Sequence, residues 1–284
     1  MKTKLLLTVG AALGLLSVMV SLPVRPVAKA QGYSSYSSYP SRDAVSPIVF
    51  QAAGPTVASI QNTVDDYRAA LGGLNTTIPP QPFTTGRREI GWDGGGTTDT
   101  TQSGNPLADF QTPRGALFTT PDGAGFVQAT PEGLANVFNN PTYSAIFTAF
   151  SPKRLFSAIG SEITDTTFFV PGGGNIPATV TGFGAVFTDV DQPHGSATGQ
   201  YHGNGKASTL IEYFGVHGEL LFSSFVPASQ GDGSLSFLGI KFPDARIFRV
   251  RITSGNVVPG PDDRGNQDVV MMDDFIYGEP QRLP

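Results

Sequence analysis

The chain has 284 residues, no cysteine, 39% hydrophobic residues, only 14% charged residues and a formal net charge of −5. These values exclude a disulfide framework and any thiolate metal or redox centre. They also argue against nucleic acid or an anionic membrane surface as a partner, since both demand clustered Lys and Arg.

Residues 1–30 begin with Lys2 and Lys4, continue through an apolar run to Val20 and end on Ala28, Lys29 and Ala30. This is the pattern of a secretory signal peptide cleaved before Gln31. The apolar run falls short of the ~20 residues a spanning helix needs, and Pro23 and Pro26 follow it. The sequence therefore predicts a secreted or cell-surface protein with no membrane span after cleavage. Cleavage would remove Lys2, Lys4, Arg25 and Lys29 and no acid, moving the formal net charge from −5 to −9. Divalent cations are the natural counter-ions of so acidic a chain. Residues 31–46 contain G-Y-S-S-Y-S-S-Y-P-S, a polar and aromatic low-complexity run that reads as a tether without a core of its own.

Within residues 47–85, read as an N-terminal helical segment, Val57, Ile60, Val64, Tyr67, Leu71 and Leu74 are spaced 3-4-3-4-3. That spacing puts all of them on one stripe of an amphipathic helix, which Gly72 and Gly73 would stop. The stripe must be covered, so the helix is expected on or beside the main domain. Asn75-Thr76-Thr77 is a formal glycosylation sequon.

Residues 86–284 are dense in strand signals. Arg88, Ile90 and Trp92 alternate with Glu89, Gly91 and Asp93, giving a short strand before a glycine loop. Those glycines lack the order of a phosphate-binding loop. Residues 97–113 read as a long polar loop. Residues 116–119 and 126–129 read as a hairpin around Pro121-Asp122-Gly123, and residues 131–138 as a short helix capped by Thr130 with Pro131 in its first turn. Further β-rich runs span 154–159, 166–170, 178–189, 208–214, 219–226, 234–242, 245–253 and 268–278, separated by Gly, Pro, Asp and Asn. Hairpin turns are expected at 215–218 and at Pro243-Asp244. This spacing, with 35 Gly and 23 Pro in the chain, predicts an all-β protein, an antiparallel jelly-roll-like β-sandwich with the amphipathic helix packed against it.

Several side chains carry possible chemistry. Trp92, the only tryptophan, reads either as a core residue or as a platform for the apolar face of a pyranose. Arg249 and Arg251 share one face of their strand and read either as a grip for a carboxylated sugar or as cross-strand partners of acids. Period-2 alternation places Asp189 at the end of the row Phe183, Ala185, Phe187, with Asp191 following in the loop. In the last strand it places Asp273 with Met271, Phe275 and Tyr277, and Asp274 with Met272 and Ile276 on the opposite face. One of these two acids must point inward, where a carboxylate needs a cation, an arginine or backbone N–H donors. Calcium accepts several carboxylate oxygens in irregular geometry, so whichever of Asp273 and Asp274 points inward joins Asp189 and Asp191 as a candidate ligand, with a salt bridge or a solvated sheet edge as the alternatives.

The closing run MDDFIYG (272–278), with FGAVFTDVD (183–191), IEYFG (211–215) and RVRITSGN (249–256), resembles secreted galactose-binding-like jelly rolls, a group that includes carbohydrate-binding modules and bacterial exported proteins. The short polar stretch after Gly278 does not read as the sorting tail that some of the latter carry. The resemblance covers roughly residues 150–280 and implies a lectin-like sandwich with a structural calcium near the last strand, carried over to Asp273. Two functions from different classes follow. One is an exported non-catalytic binding or surface module for extracellular carbohydrate, with calcium as cofactor. The other is a polysaccharide-cleaving hydrolase or lyase on the same framework, for which Asp189 and Glu212 are the acid pair to test, or else a purely structural matrix role. His194, His202 and His217 fit no metal-binding or nucleophile motif.

Overall fold

The computed structural model describes residues 45–78, 80–94, 99–121, 123–192 and 209–283. Residues 1–30, read above as a signal peptide, residues 31–44 of the expected tether, His194 and His202 lie outside these residues. In chain order the elements are β1 (Ile48–Gly54), α1 (Val57–Ala70), β2 (Arg87–Ile90), β3 (Thr100–Gly104), α2 (Gln111–Arg114), β4 (Ala116–Thr119) and β5 (Gly125–Ala129). They continue with α3 (Pro131–Val137), α4 (Tyr143–Ile146), β6 (Leu155–Ile159), β7 (Ile163–Phe168), β8 (Ala178–Thr179), β9 (Gly182–Thr188) and β10 (Leu210–Phe214). The last are β11 (Leu220–Phe225), β12 (Leu235–Lys241), β13 (Arg249–Thr253), β14 (Met271–Gly278) and β15 (Gln281–Arg282).

Two antiparallel sheets face each other. The larger runs β1-β12-β9-β14-β6-β5-β3, with β2 also paired to β14, and the smaller runs β11-β10-β13-β7-β4. Their inner faces meet in one apolar layer, where Phe156, Phe183, Phe187, Phe275 and Tyr277 of the larger sheet pack against Phe118, Phe168, Ile211, Tyr213 and Val250 of the smaller. The chain is therefore an all-β sandwich. Residues 116–119 and 126–129 do not form the expected hairpin, because β4 belongs to the smaller sheet and β5 to the larger. Pro243-Asp244 likewise lies where the chain crosses between sheets, from β12 to β13. The stretch 97–113, expected as loop, supplies β3 and α2. β1, inside the segment expected to be helical, pairs along its whole length with β12.

The outer face of the larger sheet is covered as well. Ile60, Val64, Tyr67 and Leu71 of the α1 region pack onto Val186, Leu235, Phe237 and Ile276. Leu74 lies beyond the helix and is 59% exposed. The Tyr67 ring fits a slot that glycines keep open. A Cβ on Gly184 would come within 2.9 Å of the ring, closer than side-chain atoms tolerate, and one on Gly239 within 3.0 Å, which would force the ring to shift. The Tyr67 hydroxyl donates to the Ile240 carbonyl at 3.0 Å, so its buried polar end is satisfied. At the other end of the same face, Leu134, Tyr143, Ile146 and Phe147 of the α3 and α4 region pack on Val127, Leu155 and Met271. A sheet covered on both faces buries every residue of its central strands, as in β9 and β14, including the two aspartates of β14.

The regular alternation expected for the last strand is interrupted. The register of β14 against β9 shifts between Met272 and Phe275, which is a β-bulge. Met272, Phe275 and Tyr277 consequently share the inner face, and Asp273 and Asp274 do not point opposite ways. Both reach the Ser151 hydroxyl, with Oδ1 atoms at 3.2 and 2.8 Å.

Replacing Tyr67 by Ala empties a closed slot and is expected to lower the unfolding free energy by about 3–5 kcal/mol. Leu74→Ala, at an exposed site, is expected to change it by less than about 0.5 kcal/mol. Urea unfolding of both variants measures the difference.

Candidate metal centre

Strand β9 runs Phe183, Ala185, Phe187 along the inner layer and then turns sharply at Asp189, whose φ is 70°. This left-handed turn carries the side chain off the strand row and into a junction of loops. There it meets Asp191, two residues on, and Asp263 from the connection between β13 and β14. One carboxylate oxygen from each of the three lies within 4.8 Å of the others. Asp189 is fully buried, and the other two are half-buried.

The hydrogen bonding of the three differs. Asp191 Oδ1 accepts the Gly231 N–H at 2.9 Å, and Asp263 Oδ1 accepts the Val269 N–H at 3.1 Å. Neither oxygen of Asp189 meets an N–H or hydroxyl donor among the described residues; its side-chain partner is the Asp263 carboxyl, which it can hydrogen-bond only through a proton that one of the two carries. Burial, reinforced by the negative charges of Asp263, Asp191 and Asp232, raises the Asp189 carboxyl to about 9. Burial also raises that of Asp263. A carboxylate so placed holds a proton or a cation, because an uncompensated buried charge costs several kcal/mol.

Asp268 frames the cluster. It is fully buried, and its oxygens accept the backbone N–H groups of Asp191 and Gln192 at 3.2 and 3.3 Å. Burial raises it to about 7 against the opposing effect of the Asp191 N–H. Its own N–H donates to Asn256 Oδ1 at 3.0 Å. The loops that supply the acids are thus tied to one another by backbone hydrogen bonds, which fixes the spacing of the oxygens.

The ligand set expected from the sequence is brought together only in part. Asp189 and Asp191 meet, but their companion is Asp263, not Asp273. The Asp273 carboxylate is satisfied elsewhere: Oδ2 accepts the N–H groups of Phe150 and Ser151 at 2.6 and 3.3 Å. The bulge aims it at that loop. Asp263 sits in the run P-D-D-R-G-N-Q-D (261–268), the only dense group of acids between the last two long strands. Its density is the one signal that pointed there, since no fixed spacing links it to Asp189.

The residues singled out for ligand binding are placed differently again. Trp92 is 2% exposed and stacks face to face on Phe156, with ring centroids 3.8 Å apart. Phe110, Phe118 and Phe275 meet it edge-on, and its Nε1–H donates to the Asp273 carbonyl at 2.9 Å. It is a core residue and offers no face to a sugar. Arg249 and Arg251 both donate to Asp165, at 2.6 Å and at 2.7 and 3.0 Å. The Arg249 guanidinium also lies 4.0 Å from the centroid of the Phe214 ring. These arginines are cross-strand partners of an acid. Glu212 stands opposite Arg251 in the register, while its neighbours Ile211 and Tyr213 face the core. Glu212 therefore lies on the outer face of the smaller sheet and forms no acid pair with Asp189.

No protein-family model matches the chain, and no curated protein or solved structure matches it either. The site must be interpreted from its own chemistry.

Asp189 and Asp268 have folded-state values well above those of an unfolded aspartate. The folded, metal-free protein therefore binds more protons than the unfolded chain between these limits. Its stability is greatest below about pH 4 with respect to these groups and falls as pH rises toward about 9. Thermal melting in EDTA across this window is expected to show that decline. A flat profile would mean the acids are compensated by something other than protons.

Proposed function

We propose that the protein is an exported, non-catalytic binding module built on a jelly-roll sandwich, stabilised by calcium, with an extracellular glycan as its ligand. The observation that carries this reading is the buried Asp189 carboxylate, which has no hydrogen-bond donor and lies within 4.8 Å of two further carboxylate oxygens.

Several features support its parts. The strands pair as β6 with β14, β7 with β13, β9 with β12 and β10 with β11. Eight strands paired first with last, and so on inward, form one long ribbon, and here successive pairs alternate between the two sheets. Wrapping of this kind is the jelly-roll arrangement. The donor set at the site is all oxygen, irregular and multiply anionic. Calcium accepts such sets at 2.3–2.6 Å, whereas magnesium demands near-octahedral geometry and zinc favours nitrogen and sulfur. The only described histidine, His217, lies on the exposed turn between β10 and β11. Export rests on the pattern of residues 1–30, and the acidic balance of the chain directs the ligand search away from polyanions. Trp92 is enclosed, and Arg249 and Arg251 are engaged with Asp165, so a carboxylated sugar would have to compete with that aspartate.

Scanning calorimetry of the chain expressed from Gln31 tests the metal. At a free calcium concentration 100-fold above Kd the stabilisation is about 2.7 kcal/mol, or roughly 5–10 °C for a domain of this size. Unchanged melting with EDTA and with calcium would refute the metal. Asp189→Asn is expected to melt higher than the parent in EDTA at neutral pH, because it removes the cost of protonating a buried carboxylate on folding, and to lose the calcium increment. A glycan array tests the ligand. Binding without release of reducing ends is expected, and reducing-sugar release from mixed polysaccharides would establish a hydrolase instead.

A further inference from the structure

We infer that the groove between α3 and α4 is the sugar-binding site and that the cation centre holds its shape. This rests on the glycan-binding, calcium-stabilised reading above and names the surface it requires.

The groove has a volume of about 480 Å³ and is lined by Glu132, Ala135, Asn136, Asn139, Pro141 and Ser144. The groove is shallow and open to solvent: every lining residue except the half-buried Ala135 is exposed. The lining contains a carboxylate, two amides and a hydroxyl, with Ala135 and Pro141 as apolar surface, and no cation. Among the described residues, no hydrogen bond engages the side chains of Glu132, Asn136 or Asn139. The Ser144 hydroxyl donates to the Pro141 carbonyl at 2.8 Å, which leaves its lone pairs to accept. A carboxylate only accepts, whereas an amide both donates and accepts, so the set matches the vicinal hydroxyls of a neutral sugar. A carboxylate without a neighbouring cation repels phosphate and uronate groups, so the ligand class is a neutral oligosaccharide.

The floor of the groove is bolted to the metal loops. Asn139 has a left-handed φ of 50° and turns the chain from α3 toward α4. The next residue, Asn140, is buried. Its Nδ2 donates to the carbonyls of Gly260 and Pro261 at 3.2 and 3.0 Å and lies 3.3 Å from Asp262 Oδ1. Its Oδ1 accepts the Thr142 N–H at 3.0 Å and hydroxyl at 2.7 Å. The Tyr143 hydroxyl donates to the Pro261 carbonyl at 2.9 Å and accepts the Gly260 N–H at 2.7 Å. Residues 260–262 lead directly into Asp263. On the other side, the Gly233 N–H donates to the Ile146 carbonyl at 2.7 Å, while Gly231 of the same loop holds Asp191. Two of the loops at the metal centre therefore end on the segment that shapes the groove. Fixing the carboxylates fixes that segment, so calcium and sugar strengthen each other's binding, and by linkage they do so equally.

Isothermal titration with neutral gluco-, manno-, xylo- and galacto-oligosaccharides tests this, at a temperature where the EDTA-treated protein remains folded. The expected result is that at least one binds in calcium. Its Kd rises at least tenfold in Asn136→Ala and in Asn139→Gly, which keeps the left-handed turn, while melting is unchanged. Binding also weakens in EDTA, and Arg249→Ala binds like the parent. Retained affinity in both groove variants would overturn the site while leaving a glycan-binding function standing. Equal affinity with calcium and with EDTA would overturn the coupling. Absence of binding by every neutral sugar would overturn the site, and an array without hits would remove the glycan reading as well.

Discussion

One buried negative charge constrains the rest of this structure. Asp189 stands at the end of a strand whose every residue is buried, and neither of its oxygens has a donor among the described residues. In a medium of low dielectric, such a carboxylate must be protonated or must meet a cation. Asp191 and Asp263 add further negative charge beside it, and their backbone-held positions prevent them from moving apart. Only a proton or a metal ion relieves all of these groups together, and the metal alone does so while they remain ionised.

That requirement gives meaning to features that otherwise look unrelated. The left-handed turn at Asp189 aims the side chain away from the aromatic layer. Asp268 holds the Asp191 limb through two backbone N–H groups. Asn140 and Tyr143 hold the Asp263 limb through residues 260 and 261. The two covers on the outer face of the larger sheet then divide the work. The α1 side closes the apolar surface over the glycine slot, while the α3 and α4 side connects the loops of the acid cluster to a polar groove.

Much of the sandwich was legible in the sequence, because strands covered on one or both faces leave period-2 or continuous apolar patterns. Residues 116–119 coincide with β4, and the runs at 210–214 and 271–278 lie inside their expected limits. What failed was partnership. A tight turn after β4 or after β12 reads the same whether the chain doubles back within a sheet or crosses to the other one. Polar edge strands such as β3, Thr100–Gly104, carry no apolar alternation and read as loop. The acids show the same limit. Alternation located Asp189 and Asp191 but failed at Asp273 and Asp274, since a bulge inserts one residue and resets the parity beyond it. Asp263 lay in a loop with no periodicity, and only folding brings it to Asp189. Trp92 was ambiguous until its partner Phe156, 64 positions away in the chain, was seen stacked upon it.

The most direct measurement is a crystal structure of the protein grown in calcium, with anomalous difference density calculated at a wavelength sensitive to that ion. A peak between Asp189, Asp191 and Asp263, with carboxylate oxygens at about 2.3–2.6 Å, is the predicted result. Asp189 and Asp263 carboxyl oxygens at hydrogen-bonding distance from each other, with no peak between the three acids at saturating calcium, would contradict it.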